Sequence, residues 1–221
     1  MKISEILDLT VEISHNYPGN PVLPPTRLDL THNFASNGCR LERLDTPTHA
    51  GTHVDAPAHM LETGSTLSEV RLDQFLGWAT AVDLREKGAS ASITPADLEA
   101  AEGRIASCDF VILYTGWGEK LDFTKEYVFN SPWLCREGAE WLIKRGVRGV
   151  GIDHMSVSGM EEEYDIPTHE ALLGAGVLII EGMSLTPRIL ERDRWFLVAL
   201  PLRIKDASGA PARVLALHLE E

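Results

Sequence analysis

The sequence predicts a mixed α/β domain of the α+β kind, and two observations carry that prediction. Segments with strand patterning outnumber those with helical patterning, and the two alternate only in the middle of the chain, which disfavours a strictly alternating parallel fold. The 221 residues contain no linker-like stretch, internal repeat or low-complexity tract, so a single domain spanning residues 1–221 is expected. A domain of that length buries roughly 70% of its unfolded surface and needs no disulfides.

Taken in order, Leu7, Leu9, Val11 and Ile13 alternate with polar residues and predict a half-buried strand over 7–13. Tyr17-Pro18-Gly19-Asn20-Pro21 and Pro24-Pro25 then form an irregular loop that neither a helix nor a central strand can hold. Leu28 and Leu30 suggest a second strand. Residues 79–84 and 109–115 are rich in β-formers and closed by charge or glycine, as buried strands are. Between them Thr94-Pro95-Ala96-Asp97 supplies an N-cap, a first-turn proline and an acidic third position, so a helix is expected to about Glu102. Ser131-Pro132 opens another in the same way, with Cys135 inside it and Gly146 placed to end it. Further strands are expected at 147–152, 177–181, 195–200 and 213–219, and Trp117, Trp133, Trp141 and Trp195 are expected in the core.

The formal charge of −13 argues against nucleic acid and anionic membrane as partners, since both require a basic surface. No apolar run approaches the length of a membrane span. Glu161-Glu162-Glu163 reads as a solvated loop. Cys39, Cys108 and Cys135 are odd in number, far apart and outside any C-x-x-C arrangement, which fits free thiols in a reducing cytoplasm. The first ten residues carry Glu5 and Asp8 and no extended apolar core, so no signal peptide is expected.

The informative stretch is His49-Ala50-Gly51-Thr52-His53-Val54-Asp55-Ala56-Pro57-Ala58-His59. Three of the chain's eight histidines and one aspartate fall within eleven residues. Imidazole and carboxylate together suit zinc, manganese or iron. A metal to acidify water and a neighbouring base to move protons are what a hydrolytic site requires. In an extended chain His49 and His53 would stand roughly 13 Å apart. Nitrogens each about 2.1 Å from one ion must come far closer than that. A helix would solve the spacing, but Gly51 and Pro57 oppose one, so a bend near Gly51-Thr52 is expected. His15, His32, His154 and His218 lack clustered partners and read as surface or hydrogen-bonded core residues.

The pattern H-x-G-T-H-x-D-x-P-x-H resembles, without a departure, the signature of the putative cyclase family, which includes bacterial kynurenine formamidases and isatin hydrolases. The likeness extends to Asp45-Thr46-Pro47-Thr48, Tyr114-Thr115-Gly116-Trp117, Gly151-Ile152-Asp153, Pro167-Thr168-His169, Ile179-Ile180-Glu181-Gly182 and Gly209-Ala210-Pro211-Ala212-Arg213. The resemblance implies that His49, His53 and Asp55 hold a first metal ion. It implies that Asp55 bridges to a second ion completed by His169 and Glu181, giving two zinc or manganese ions per chain. His59 matches the residue that acts as acid and base without holding metal. Isatin hydrolases, which use one manganese, carry an amide in place of the late glutamate, so Glu181 points to the binuclear branch. The implied fold is a compact α/β domain with a β-barrel-like core flanked by helices, the family's swivelling β/β/α type, associating as homodimers or larger homo-oligomers.

The implied reaction is hydrolysis of a small amide. The leading substrate is an aryl formamide such as N-formyl-L-kynurenine, on the kynurenine route of tryptophan catabolism; a cyclic amide or lactone, of the isatin or dienelactone type, is the alternative. Kynurenine formamidases carry Trp-Pro-Gly-Asp where this chain has Tyr17-Pro18-Gly19-Asn20, which makes Tyr17 the candidate substrate contact and alters its size and hydrogen bonding. A metal-binding module without catalysis would have no use for an unligated His59 beside the ion.

Overall fold

The computed structural model describes residues 2–220, and Met1 and Glu221 lie outside the described residues. Its strands are β1 (Lys2–Asp8), β2 (Arg27–His32), β3 (Leu41–Asp45), β4 (His53–Asp55), β5 (Leu76–Asp83), β6 (Ser92–Ile93), β7 (Phe110–Tyr114), β8 (Trp133–Leu134), β9 (Gly149–Ile152), β10 (Leu178–Glu181), β11 (Trp195–Pro201) and β12 (Gly209–Glu220). Its helices are α1 (Phe34–Asn37), α2 (Pro95–Glu99), α3 (Glu102–Ile105), α4 (Lys125–Phe129), α5 (Arg136–Lys144) and α6 (Glu162–Gly174).

Eight strands form one sheet in the order β1-β12-β11-β5-β7-β9-β10-β4. β4 pairs antiparallel with β10 on one side and with the start of β12 on the other, so seven strands close into a barrel. β1 lies outside the ring along the far end of β12. The run β5-β7-β9-β10 is parallel, and parallel neighbours need crossovers. Helices α2 and α3, then α5, then α6 make those crossings.

The apolar runs of β7 and β10 follow from this arrangement, because strands covered on both faces need no polar alternation. Phe110, Ile112 and Tyr114 face the barrel interior with Ile180, Trp195 and Val214. Val111, Leu113 and Ile179 point outward and pack under Leu98, Ile105, Leu142 and Leu172 of the helices. The expected α/β domain with a barrel core is therefore observed.

Three local expectations are corrected. The strand predicted over 7–13 ends at Asp8, because the Val11 N–H is taken by the Thr52 hydroxyl at 2.9 Å and only Thr10 bridges onward, to Met183. The helix predicted from Ser131 begins at Arg136. Ahead of it the backbone N–H groups of Trp133, Leu134 and Cys135 donate to Ala91, Val157 and Ile93, which holds that stretch extended. Cys135 is consequently the N-cap, its Sγ accepting the Gly138 N–H, rather than a residue inside the helix. The helix predicted over 94–102 is divided into α2 and α3 by Ala100 and Ala101. Of the four tryptophans expected in the core, Trp117 and Trp195 are buried while Trp133 and Trp141 are half-exposed. Among the described residues no helix is long and apolar enough to cross a membrane.

Candidate metal centre

Val54 faces the barrel interior, so His53 and Asp55 on either side of it project from the outer face of β4. Glu181 ends β10 as the register partner of His53 and shares that face. Helix α6, packed on β10, brings His169 over the same spot, and a short 3₁₀ turn opened by Pro57 presents His59. His49 reaches in from before the bend. That bend is made at Gly51, whose φ of 66° belongs to the left-handed region, as the sequence required. Gly182, at φ 64°, lies backbone to backbone against it: a Cβ there would stand 2.5 Å from the Gly51 carbonyl oxygen. The two glycines let the histidine segment and the end of β10 meet.

All five expected ligands thus form one chain of contacts, three imidazoles around two carboxylates. His49 Nδ1 lies 2.7 Å from Asp55 Oδ1, and His53 Nε2 lies 3.4 Å from both Asp55 Oδ1 and Glu181 Oε2. His169 Nε2 stands 3.3 Å from Glu181 Oε1. His53 Nδ1 is 2.9 Å from the Gly51 carbonyl, which can only accept, so that nitrogen carries the hydrogen and Nε2 is the one turned to the carboxylates. Among the described residues, two groupings of donor atoms could hold a cation: His49, Asp55 and His59, and His53, Asp55 and Glu181.

The charges support that reading. Asp55 and Glu181 are buried, and burial alone would raise their pKa values; the facing imidazoles reverse this and hold both carboxyls below their ordinary range. Burial pushes His53 down, but Asp55 and Glu181 outweigh it and leave it raised to about 9. His169 is raised in the same manner, by Asp165 and Glu181 against burial. Asp55 Oδ2 is buried without a hydrogen-bond partner among the described residues. A buried, ionised carboxylate with an orphaned oxygen, ringed by imidazole nitrogens, fits a divalent cation. His59 differs from its neighbours. Burial holds it below the ordinary histidine range despite nearby Asp55, and its ring lies 4.1 Å from that of His49, centre to centre.

A cavity of about 360 Å³ opens onto the cluster, with His49, His53, His59, His169 and Glu181 in its wall beside Met60, Met155 and Leu23. Tyr17 is not in that wall. It is buried, and burial pushes its hydroxyl up to about 12, while Asn20, Val22 and Leu23 of the same loop face the cavity. The proline-rich loop thus lines the site through residues other than the expected aromatic. Sequence reasoning also missed Asp165, which contacts His169 Nδ1 at 3.2 Å from one helical turn away. The i, i+4 spacing of the two on α6 was the available signal. His154 is a buried, hydrogen-bonded core residue, held by Ser131 and the Tyr127 carbonyl.

A barrel carrying a buried imidazole–carboxylate cluster at the mouth of a small cavity suits metal-assisted hydrolysis, and comparison with known proteins agrees. The Putative cyclase family profile matches residues 7–158, and the chain belongs to that family. A kynurenine formamidase of Erythrobacter litoralis is 34% identical over 81% of this chain and 77% of its own length. A solved structure described as a potential metal-dependent hydrolase with cyclase activity is 31% identical, with a TM-score of 0.79 over 98% of this chain and 99% of its own. Isatin hydrolase A of Labrenzia aggregata, 23% identical, shares the fold with a TM-score of 0.85 over 98% of this chain and 94% of its own. The chain is a hydrolase acting on C–N bonds other than peptide bonds.

Proposed function

We propose that the chain hydrolyses an aryl formamide such as N-formyl-L-kynurenine, at a centre of two divalent cations, zinc or manganese. The observation that carries the reading is the placement of His59 against a cluster with cation-ligand chemistry while burial keeps its ring neutral at pH 7. His49, His53 and Asp55 would hold the first cation, and Asp55, His169 and Glu181 the second. Such cations supply Lewis acidity, making water a nucleophile near neutral pH and polarising the carbonyl.

The chain's own residues do the rest. Met60, Met155 and Leu23 give the cavity an apolar wall for the aromatic ring. As water attacks the formyl carbon, the neutral His59 takes its proton. The imidazolium then delivers that proton to the anilide nitrogen, which leaves as an amine rather than as an unstable anion. The N–H of Val157 donates to Glu181 Oε1 at 2.7 Å and fixes that carboxylate through the cycle.

We further place this activity in one domain, in the cytoplasm and in a homodimer or higher homo-oligomer. Three free cysteines suit a reducing compartment. The β2–β3 ribbon exposes Leu28, Leu30 and Leu44 on one face, with Arg27, Asp29 and Arg43 on the other, as a surface that associates does. The test is a panel of formylkynurenine, isatin and simple lactones offered to chelated and metal-reloaded protein. Metal-dependent turnover of the formamide is expected. Full activity in metal-free protein refutes the centre, and turnover confined to isatin or a lactone refutes the substrate.

A further inference from the structure

Residues 156–158 and Asp165 grip both members of the His169/Glu181 pair. The Asp165 carbonyl lies 3.0 Å from His169 Nδ1 and can only accept, so that nitrogen carries the hydrogen. Ser158 Oγ stands 2.9 Å from the same nitrogen and donates its own hydrogen to Asp165 Oδ1, also at 2.9 Å. Ser156 Oγ donates to that same oxygen at 2.8 Å and accepts the Ser158 N–H at 3.2 Å. Between the serines, the Val157 N–H holds Glu181 Oε1.

One short loop therefore aims an imidazole and a carboxylate at each other. With the hydrogen fixed on Nδ1, the lone pair of the neutral ring resides on Nε2, 3.3 Å from Glu181 Oε1. Two lone-pair-bearing atoms at that distance repel unless something positive lies between them. A carboxylate and hydroxyls behind a ligating histidine fix its tautomer and raise its basicity.

We propose that the Asp165 carboxylate, 3.2 Å from His169 Nδ1 and joined to it also through Ser158, is a positioning group that locks His169 in the tautomer and orientation its backbone carbonyl selects and thereby sets the affinity of the second cation position. The inference rests on the cation-centre reading above. It separates Asp165 from the other acids at the start of α6, since Glu162 and Glu163 are exposed while Asp165 turns inward to both serines.

The test uses the whole chain, titrated with Zn²⁺ against a competing chelator and loaded with ¹¹³Cd²⁺ in ¹⁵N-histidine-labelled protein for NMR. In the wild type two ions bind, and His169 couples to cadmium through Nε2. In Asp165→Asn and Ser158→Ala the weaker-bound ion loses about 10–100-fold in affinity while the tighter one is unchanged. The His169 coupling is lost or broadened in both variants. Equal weakening of both ions indicates general loosening and overturns the proposal, as does wild-type affinity in both variants or coupling through Nδ1. If the wild type takes up no ion at His169 and Glu181, the cation-centre reading falls and this inference with it; if it does and the variants match it, only the role of Asp165 falls.

Discussion

Replacing Gly209 by alanine measures how closely β12 confines His49. Gly209 is the register partner of Asp55, and the His49 ring lies directly over it. A Cβ at Gly209 would stand 2.4 Å from His49 Cε1 and 2.9 Å from each ring nitrogen, whereas ordinary contact starts at 3.4 Å, so the ring must withdraw by about 1 Å. Alanine adds no backbone strain here, because Gly209 is outside the left-handed region. The obstacle is the end of a side chain, so overpacking costs only ~1 kcal/mol, or roughly 2–4 °C in the Tm of the metal-free protein. The site responds more strongly. His49 Nδ1 now lies 2.7 Å from Asp55 Oδ1, and a displacement near 1 Å at a catalytic centre costs on the order of 10²-fold in rate. Chelator competition, kcat for the formamide and Tm should therefore be measured together. Variant protein with unchanged Tm, ion affinity and kcat would show that the ring position does not matter, and His49 would lose its place as a ligand.

Three further outcomes follow from the cluster. His59→Ala should keep its metal and lose roughly 10²–10⁴-fold in kcat, whereas His53→Ala should lose metal and activity together. Elemental analysis decides it, and a metal-depleted His59 variant makes that residue a ligand. Glu181→Gln should bring metal content from two ions per chain toward one; two tightly bound ions in the variant refute its role. Because His53 is raised to about 9 without metal, at pH 7 its ring carries a proton that a cation must displace. Ion affinity should then climb by up to about tenfold per pH unit for each proton displaced, levelling above pH 9. The sign for folding is opposite. The contribution of His53 to the stability of the metal-free protein is complete below about pH 6.5 and is lost as pH rises through 9, so its Tm should fall over that window. Flat ion affinity between pH 6.5 and 8.5 would show that His53 is not the displaced base.

Much of the site was legible because its residues lie close together in sequence and their chemistry is specific. Histidines 49, 53 and 59 with Asp55 and Gly51 constrain one another, and the bend at Gly51 follows from ligand reach alone. The strand cores of β7, β9 and β10 were legible from apolar runs. What escaped was decided by partners distant in the chain. The extended segment before α5 is held by Ala91, Ile93 and Val157, and nothing local in Ser131-Pro132 announces them. The end of β1 is set by Thr52. Tyr17 was singled out for its aromaticity within the proline-rich loop, but which side chains of an irregular loop face inward depends on packing that no periodicity encodes. Ser156 and Ser158 are ordinary in sequence and acquire meaning only beside Asp165.

β4 is three residues long, yet it is the strand that completes the barrel, with β10 on one side and β12 on the other. Two of its three side chains belong to the cation cluster, and the others there come from β10, α6 and the Gly51 bend. The β4–β10 seam cannot open without pulling His53 and Asp55 away from Glu181. Ion occupancy and barrel integrity are thus one thermodynamic coordinate: an ion that binds the closed form holds the seam by RT ln(1 + [L]/Kd), about 4 kcal/mol at a thousandfold excess over Kd. Metal scarcity would then act on this protein as a denaturant aimed at a single seam, loosening the ring at its shortest strand before the rest of the fold is disturbed.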